Sequence, residues 1–414
     1  MAKDPIKKFI EHPYPVLLNG IVRHYAWGGT HFIPKLLGIP NPQNQPFAEL
    51  WMGAHPQAPS RAVLNDTTLG LDELIAAAPE KILGRDNIVK LGPSLPYLLK
   101  ILDARDMLSI QVHPSAAQAR EGFAREEAAG IPWDAPHRSY KDQHHKPEVH
   151  VALTDFWMLH GFRPDEEISQ VLRSTPEFSP LLPAFAGNDL RRLYHTLMTL
   201  PQDEVDAMLH PLLARLAGMT LSDKGNPDYW ARLAGQNFAL PEGRRDRGLF
   251  SIYLLNLVRL APGQGTFQAA GVPHAYLQGI NVELMANSDN VLRAGLTPKH
   301  IDVPELLKAL SFDGSRPAII NGVKTATGET VFPTPAEEFE LCRIDLQSGE
   351  RWTTGDNPGA EILVFISGRG TAQNERTVLD WQPGTALFLP ANTVLQLCAK
   401  SAGCCYLARV PQTR

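Results

Sequence analysis

The sequence has little of what would tie it to a membrane, a nucleic acid or an oxidising compartment. No apolar run approaches the ~20 residues that a membrane-spanning helix needs. The opening stretch MAKDPIKKFIEHPYP does not read as a secretory leader. The four cysteines, Cys342, Cys398, Cys404 and Cys405, crowd toward the C-terminus without a C-x-x-C pair. That pattern predicts reduced, buried thiols in a cytoplasmic protein. There is no block of basic residues, and the net charge is −5, which argues against nucleic acid or an anionic membrane as partner. After His300 the chain has no histidine at all, so a histidine-ligated metal site cannot lie beyond that point.

What is present is a soluble composition, 43% apolar and 20% charged, spread over 414 residues. That length exceeds one ordinary core and predicts two or three domains. Plentiful proline (35) and glycine (32) suit many short strands joined by turns. Three departures from that texture stand out. The 69–84 stretch has helical spacing and predicts one or two short helices. From about 164 to 238, apolar residues recur three and four apart (Leu190, Leu193, Leu197; Val205, Met208, Leu209, Leu212), which predicts a helical block between strand-rich segments. The Pro262-Gly263 region has a weak echo at Pro383-Gly384, as if a small β-barrel module occurs twice; there 361–372 reads as a strand, a glycine turn and the start of another strand.

The densest chemistry lies in 271–299, GVPHAYLQGINVELMANSDNVLRAGLTPK. His274, Glu283, Asp289, Asn290, Arg293 and Lys299 alternate there with apolar residues, as in the wall of a cavity backed by a core. Two other strand-like stretches carry polar residues at every second position, which places them on one face. In SIQVHP these are Ser109, Gln111 and His113; in KPEVH they are Lys146, Glu148 and His150. Gln111, His113, Glu148 and His274 make a four-ligand set of the nitrogen and oxygen donors used by Zn²⁺ or Fe²⁺ sites, with His150 competing for the last place. His195 and His210 fall inside predicted helices and receive no site role.

Taken together, YAWGG, SIQVHP, HKPE, PHAYLQG and MANSDNVLRAGLTPK resemble the type I mannose-6-phosphate isomerases, zinc enzymes of the cupin superfamily. The resemblance implies a mainly β fold of two cupin-type jelly-roll β-barrels with an inserted α-helical domain. The expected division is 1–163 and 248–320 for the catalytic cupin domain, 164–247 for the helical insertion, and 321–414 for a C-terminal cupin-like domain without a metal. It implies one Zn²⁺ on Gln111, His113, Glu148 and His274, and a catalytic role for Arg293. It also places Ser109, Lys146, Glu283, Asp289 and Lys299 around a sugar phosphate.

Interconversion of mannose 6-phosphate and fructose 6-phosphate moves a proton between C1 and C2. It needs a base, an electrophile for the oxyanion and a cationic cradle for the phosphate. Arg293 stays charged and suits a clamp rather than a base. Lys100, Lys299 and Ser109 are candidates for the phosphate; Glu283, Lys146 and a zinc-bound water are candidates for the base, and the sequence does not choose among them. Two other classes share part of this pattern: a metal-dependent cupin oxygenase, and a non-catalytic cupin that binds sugar phosphate.

Overall fold

The computed structural model describes residues 5–65 and 67–412. Two antiparallel sheets face one another, and helices cover the far side of the first. The first sheet has ten strands and is organised on His274–Ala286, which pairs with Tyr97–Ala104, Ile110–Val112, Glu148–Ala152 and Phe156–Phe162. A strand of 13 residues can serve four neighbours because it bends at Gly279. There φ is +127°, and a Cβ would meet the Asp155 carbonyl oxygen at 2.5 Å. Only glycine fits such a bend.

Alternation along these strands separates two environments. Leu99, Ile101, Val149, Val151, Val282 and Leu284 point into a core shared with Ile362, Val364, Phe388, Tyr406 and Ala408 of the second sheet. Each fully buried aliphatic residue there contributes about 1.5–3 kcal/mol. The intervening positions, Lys100, Glu148, His150 and Glu283, therefore face the other way and are buried as well. The apolar face fixes the register, and the register aims the charged face.

The second sheet has eleven strands and joins both ends of the chain. Val16–Asn19 lies between Ala386–Leu389 on one side and Arg61–Leu64 on the other. The glycine turn expected within 361–372 is not a turn. Glu361–Gln373 is one strand with register shifts around Ser367 and Arg369. Gly368, at φ +84°, absorbs the irregularity where it passes 2.7 Å, measured from a notional Cβ, from the Cα of Gly403. A bulge uses the same residue types as a turn but keeps the ladder going.

Helices fill the chain between the strands Phe156–Phe162 and Leu255–Leu260. Leu190–Thr199 and Gln202–Ala217 bury the residues whose spacing marked them, Leu190, Leu193, Leu197, Val205, Met208, Leu209 and Leu212. Asp189 caps the first by accepting from the Arg192 amide at 2.9 Å. The 69–84 stretch forms Leu71–Ala77 and Pro79–Leu83. No helix among the described residues is long and apolar enough to cross a membrane.

Candidate metal centre and cleft

His113 follows the strand Ile110–Val112, while Glu148 and His274 each open a strand, so three strand ends deliver their side chains to one point. The donor atoms of His113, Glu148 and His274 all lie within 4.8 Å of one another, and all three residues are buried. His113 Nε2 is 3.2 Å and His274 Nε2 3.7 Å from the Glu148 carboxylate. Each ring is held from behind: His113 Nδ1 lies 2.9 Å from the Asn290 carbonyl, and His274 Nδ1 lies 2.9 Å from the Val272 carbonyl. A carbonyl can only accept, so each Nδ1 donates a proton to it, which leaves each Nε2 turned toward the carboxylate. His113 Nε2 is buried without a hydrogen-bond partner.

Burial, followed by the neighbouring His113, pushes His274 down to about 3, so it is neutral at physiological pH. Burial alone would raise Glu148, but His113, Lys146 and His274 outweigh it and hold the carboxyl well below its usual range. Two imidazoles whose Nε2 atoms converge on one carboxylate form a donor set suited to Zn²⁺. Gln111 pairs in register with both His274 and Arg293, so its strand position joins the trio to the cleft. His150 does not join them: its Nε2 lies 3.1 Å from Met158 Sδ, and its ring packs against Phe156 and Tyr276.

Beside the trio is a cavity of about 70 Å³ bordered by Glu49, Lys100, Gln111, Glu148, His274 and Glu283. It is flanked by a cleft of about 730 Å³ whose border includes Tyr25, Trp27, Ser109, Gln111, Phe238, Arg293 and Lys299. Glu49, Leu108 and Gln111 border both. Lys100 sits opposite Glu283 in the ladder, with Nζ 3.1 Å from Glu283 and 3.8 Å from Glu49. Burial would lower Lys100, but Glu49, Glu283 and Glu148 more than reverse this and keep it charged. Glu283 also accepts from the Tyr276 hydroxyl, and burial raises its carboxyl although Lys100 opposes the shift.

Arg293 and Lys299 are placed differently from Lys100. Among the described residues neither makes an ion pair, and Arg293 Nε is buried without a partner. Lys299 is pulled down by burial, with the nearby positive charges of Arg293 and Lys141 adding to the effect. Lys146 Nζ lies 3.3 Å from Glu148, at the metal end. Asp289 is turned aside: its carboxylate lies 3.3 Å from His55 Nε2 and accepts from Gln57 at 2.8 Å, and it borders neither cavity nor cleft. Asn290 bonds through its side chain to the backbone of Lys141, Asp142 and His144, which ties the NSDN segment down behind His113.

Sequence reasoning passed over Glu49 and Tyr276. Glu49 was visible as an acid heading the strand Glu49–Gly53, all of whose residues are buried. Tyr276 alternates with His274 on the same strand and faces the same cavity.

Fold and site together define a metal-dependent enzyme with a cationic cleft. Residues 16–165 match the phosphomannose isomerase type I catalytic domain. The chain is 40% identical over 385 residues to the mannose-6-phosphate isomerase of Escherichia coli (strain K12), covering 91% of this chain and 94% of that protein. It is 32% identical over 410 residues to the Homo sapiens enzyme of the same name, covering 92% and 94%. The crystal structure of mannose 6-phosphate isomerase from Salmonella typhimurium, bound to fructose 6-phosphate and zinc, superposes with a TM-score of 0.86 at 37% identity, covering 96% of this chain and all of that one. The chain belongs to the type I mannose-6-phosphate isomerase family.

Proposed function

We propose that the protein interconverts mannose 6-phosphate and fructose 6-phosphate with the help of one Zn²⁺. The observation that carries this reading is the junction of two features: a buried trio whose His113 Nε2 has no hydrogen-bond partner, and a cleft with two cations that make no ion pair among the described residues. Gln111, His113, Glu148 and His274 hold the ion. When bound, Zn²⁺ supplies Lewis acidity toward the sugar oxygens at C1 and C2.

Glu283 is the base: it takes the proton from C2 of the aldose and returns it to C1. Burial raises its carboxyl toward the range such a shuttle needs. Lys100 and Tyr276 hold that carboxyl in place. Lys146 stays with Glu148 and keeps it ionised. Arg293 faces the negative charge that develops on the enediolate, while Lys299 and Ser109 receive the phosphate farther along the cleft. Asp289, with His55 and Gln57, supports the turn before Arg293 from outside.

The proposed architecture is a catalytic cupin jelly roll from 1–163 and 248–320, a helical domain from 164–247 and a metal-free cupin-like domain from 321–414, in a cytoplasmic protein. The helices between Phe156–Phe162 and Leu255–Leu260 and the absence of histidine after His300 support it.

The test is turnover of mannose 6-phosphate before chelation, after chelation and after Zn²⁺ is restored, with metal content measured at each stage. Activity should vanish and return with about one zinc per chain. Full turnover by protein shown to be metal-free would overturn the reading, as would oxygen consumption in place of fructose 6-phosphate formation.

A further inference from the structure

The turn that carries Lys299 is held by a residue outside the strands of the site. Asp246 is 3% exposed, and its carboxylate accepts three backbone amides: Gly248 at 2.7 Å and Leu296 at 3.0 Å on Oδ1, Thr297 at 3.1 Å on Oδ2. The two chain segments it joins cross very closely. A Cβ on Gly295 would lie 2.4 Å from the Cα of Gly248, and one on Gly248 would lie 2.6 Å from the Leu296 nitrogen. Leu296 itself has φ +52°, a conformation a leucine rarely adopts without being held there.

Past this crossing, Leu296, Thr297, Pro298 and Lys299 border the cleft, and Thr297 Oγ1 accepts the Lys299 amide at 3.1 Å. Arg293 lies on the strand Leu292–Gly295 just before it. The next residue, Arg247, faces the helices. Its guanidinium donates to the carbonyls of Leu197, Met198 and Leu200 at the end of the helix Leu190–Thr199, where helix carbonyls lack partners. Asp246 and Arg247 therefore fasten the helical block and the cleft turn to one point of the chain.

We propose that Asp246 is a positioning residue that sets the place of Lys299 relative to Arg293, and through them the grip on the phosphate. The inference rests on the reading that these cations receive the sugar phosphate. Asparagine at 246 would keep one acceptor but turn an NH₂ group against an amide N–H, so the 295–299 turn would relax while the metal trio stays in place.

The experiment compares zinc-loaded Asp246→Asn, Lys299→Ala and Glu177→Gln with the parent. It reads zinc content, melting temperature, kcat, KM and the inhibition constant of inorganic phosphate. Glu177→Gln breaks the pair with Arg215 within the helical block, away from the cleft; it should lower the melting temperature and leave the kinetics within about twofold. Asp246→Asn should keep its zinc, lose roughly tenfold to a hundredfold in kcat/KM, and bind inorganic phosphate more weakly, as Lys299→Ala does.

An unchanged phosphate constant in Asp246→Asn, with a raised one in Lys299→Ala, overturns the latch. An unchanged constant in Lys299→Ala overturns the assignment of phosphate to this cation, and the latch with it. If Asp246→Asn does not fold, Thr297→Val removes only the acceptor for the Lys299 amide and tests the next bond in the chain. A normal phosphate constant there likewise counts against the latch.

Discussion

Both sheets bury a cluster of charged side chains, and only one of the clusters is built to hold a ligand. In the first sheet, among the described residues, the metal-binding trio leaves over His113 Nε2, and burial keeps His274 neutral down to about pH 3. In the second, Arg409 lies 3.0 Å from Glu329 and 2.8 Å from Glu340, so those three groups satisfy one another. Beside them, Glu361 Oε2 is buried with no hydrogen-bond partner among the described residues. Burial lifts the Glu361 carboxyl to about 7, so it relieves its own isolation by taking a proton. A buried ionic cluster is therefore not by itself a site. The two differ in whether the orphaned lone pair can be answered by a proton or needs a metal ion.

The strongest test removes the orphaned donors. His113→Ala or Glu148→Ala should cost more than about 10²-fold in zinc affinity, beyond what loss of an outer-shell partner costs, and activity should follow. His150→Ala should keep its zinc, since that ring packs against Phe156 and Tyr276. Elemental analysis decides both, and zinc loss in His150→Ala alone would reverse the assignment.

Next in size is the cleft. Arg293→Ala should retain zinc and lose ~10²–10³-fold in kcat, as expected for a group that meets charge formed in the transition state. Lys299→Ala should act mainly on KM, because the phosphate is charged throughout the reaction. Steady-state kinetics separate them; a near-normal kcat with a raised KM in Arg293→Ala would move that arginine to the phosphate end.

The smallest effect belongs to the second sheet. Glu361 has a folded-state value near 7 against an ordinary 4.5, so its contribution to stability is full below pH 4.5, falls progressively above it and is lost once pH rises through 7. The penalty above that range is roughly 3 kcal/mol at most. Glu361→Gln should therefore melt a few degrees higher than the parent at pH 8.5, by less than about half as much at pH 5.5, and turn over normally. Parallel melting curves at the two pH values would show that Glu361 is already ionised in the fold.

The polar faces of these strands were legible because strand alternation is a local signal. Gln111 and His113, then Lys146, Glu148 and His150, could be set on faces from the sequence alone. What the pattern could not supply was register between distant strands. Lys100 is a candidate phosphate ligand in isolation; only its pairing opposite Glu283, 183 residues away, shows that it is held between acids. Asp289 sits close to Arg293 in sequence, yet the turn that Asn290 anchors sends its carboxylate to His55. Asp246 looked like one charge among several in RRDRG, and its three amide partners become visible only where two glycines let the chains cross.

The seam between the two ends of the chain also sets an order of events during biosynthesis. Val16 finds its ladder partner Phe388 only after the long intervening chain has been made. At 5–20 residues per second, the amino-terminal strand waits roughly 20–75 s for it. During that interval Val16–Asn19 can pair with Arg61–Leu64, but its other edge stays open. The nascent chain thus carries an unfinished sheet edge until Ala386–Leu389 emerges to close it.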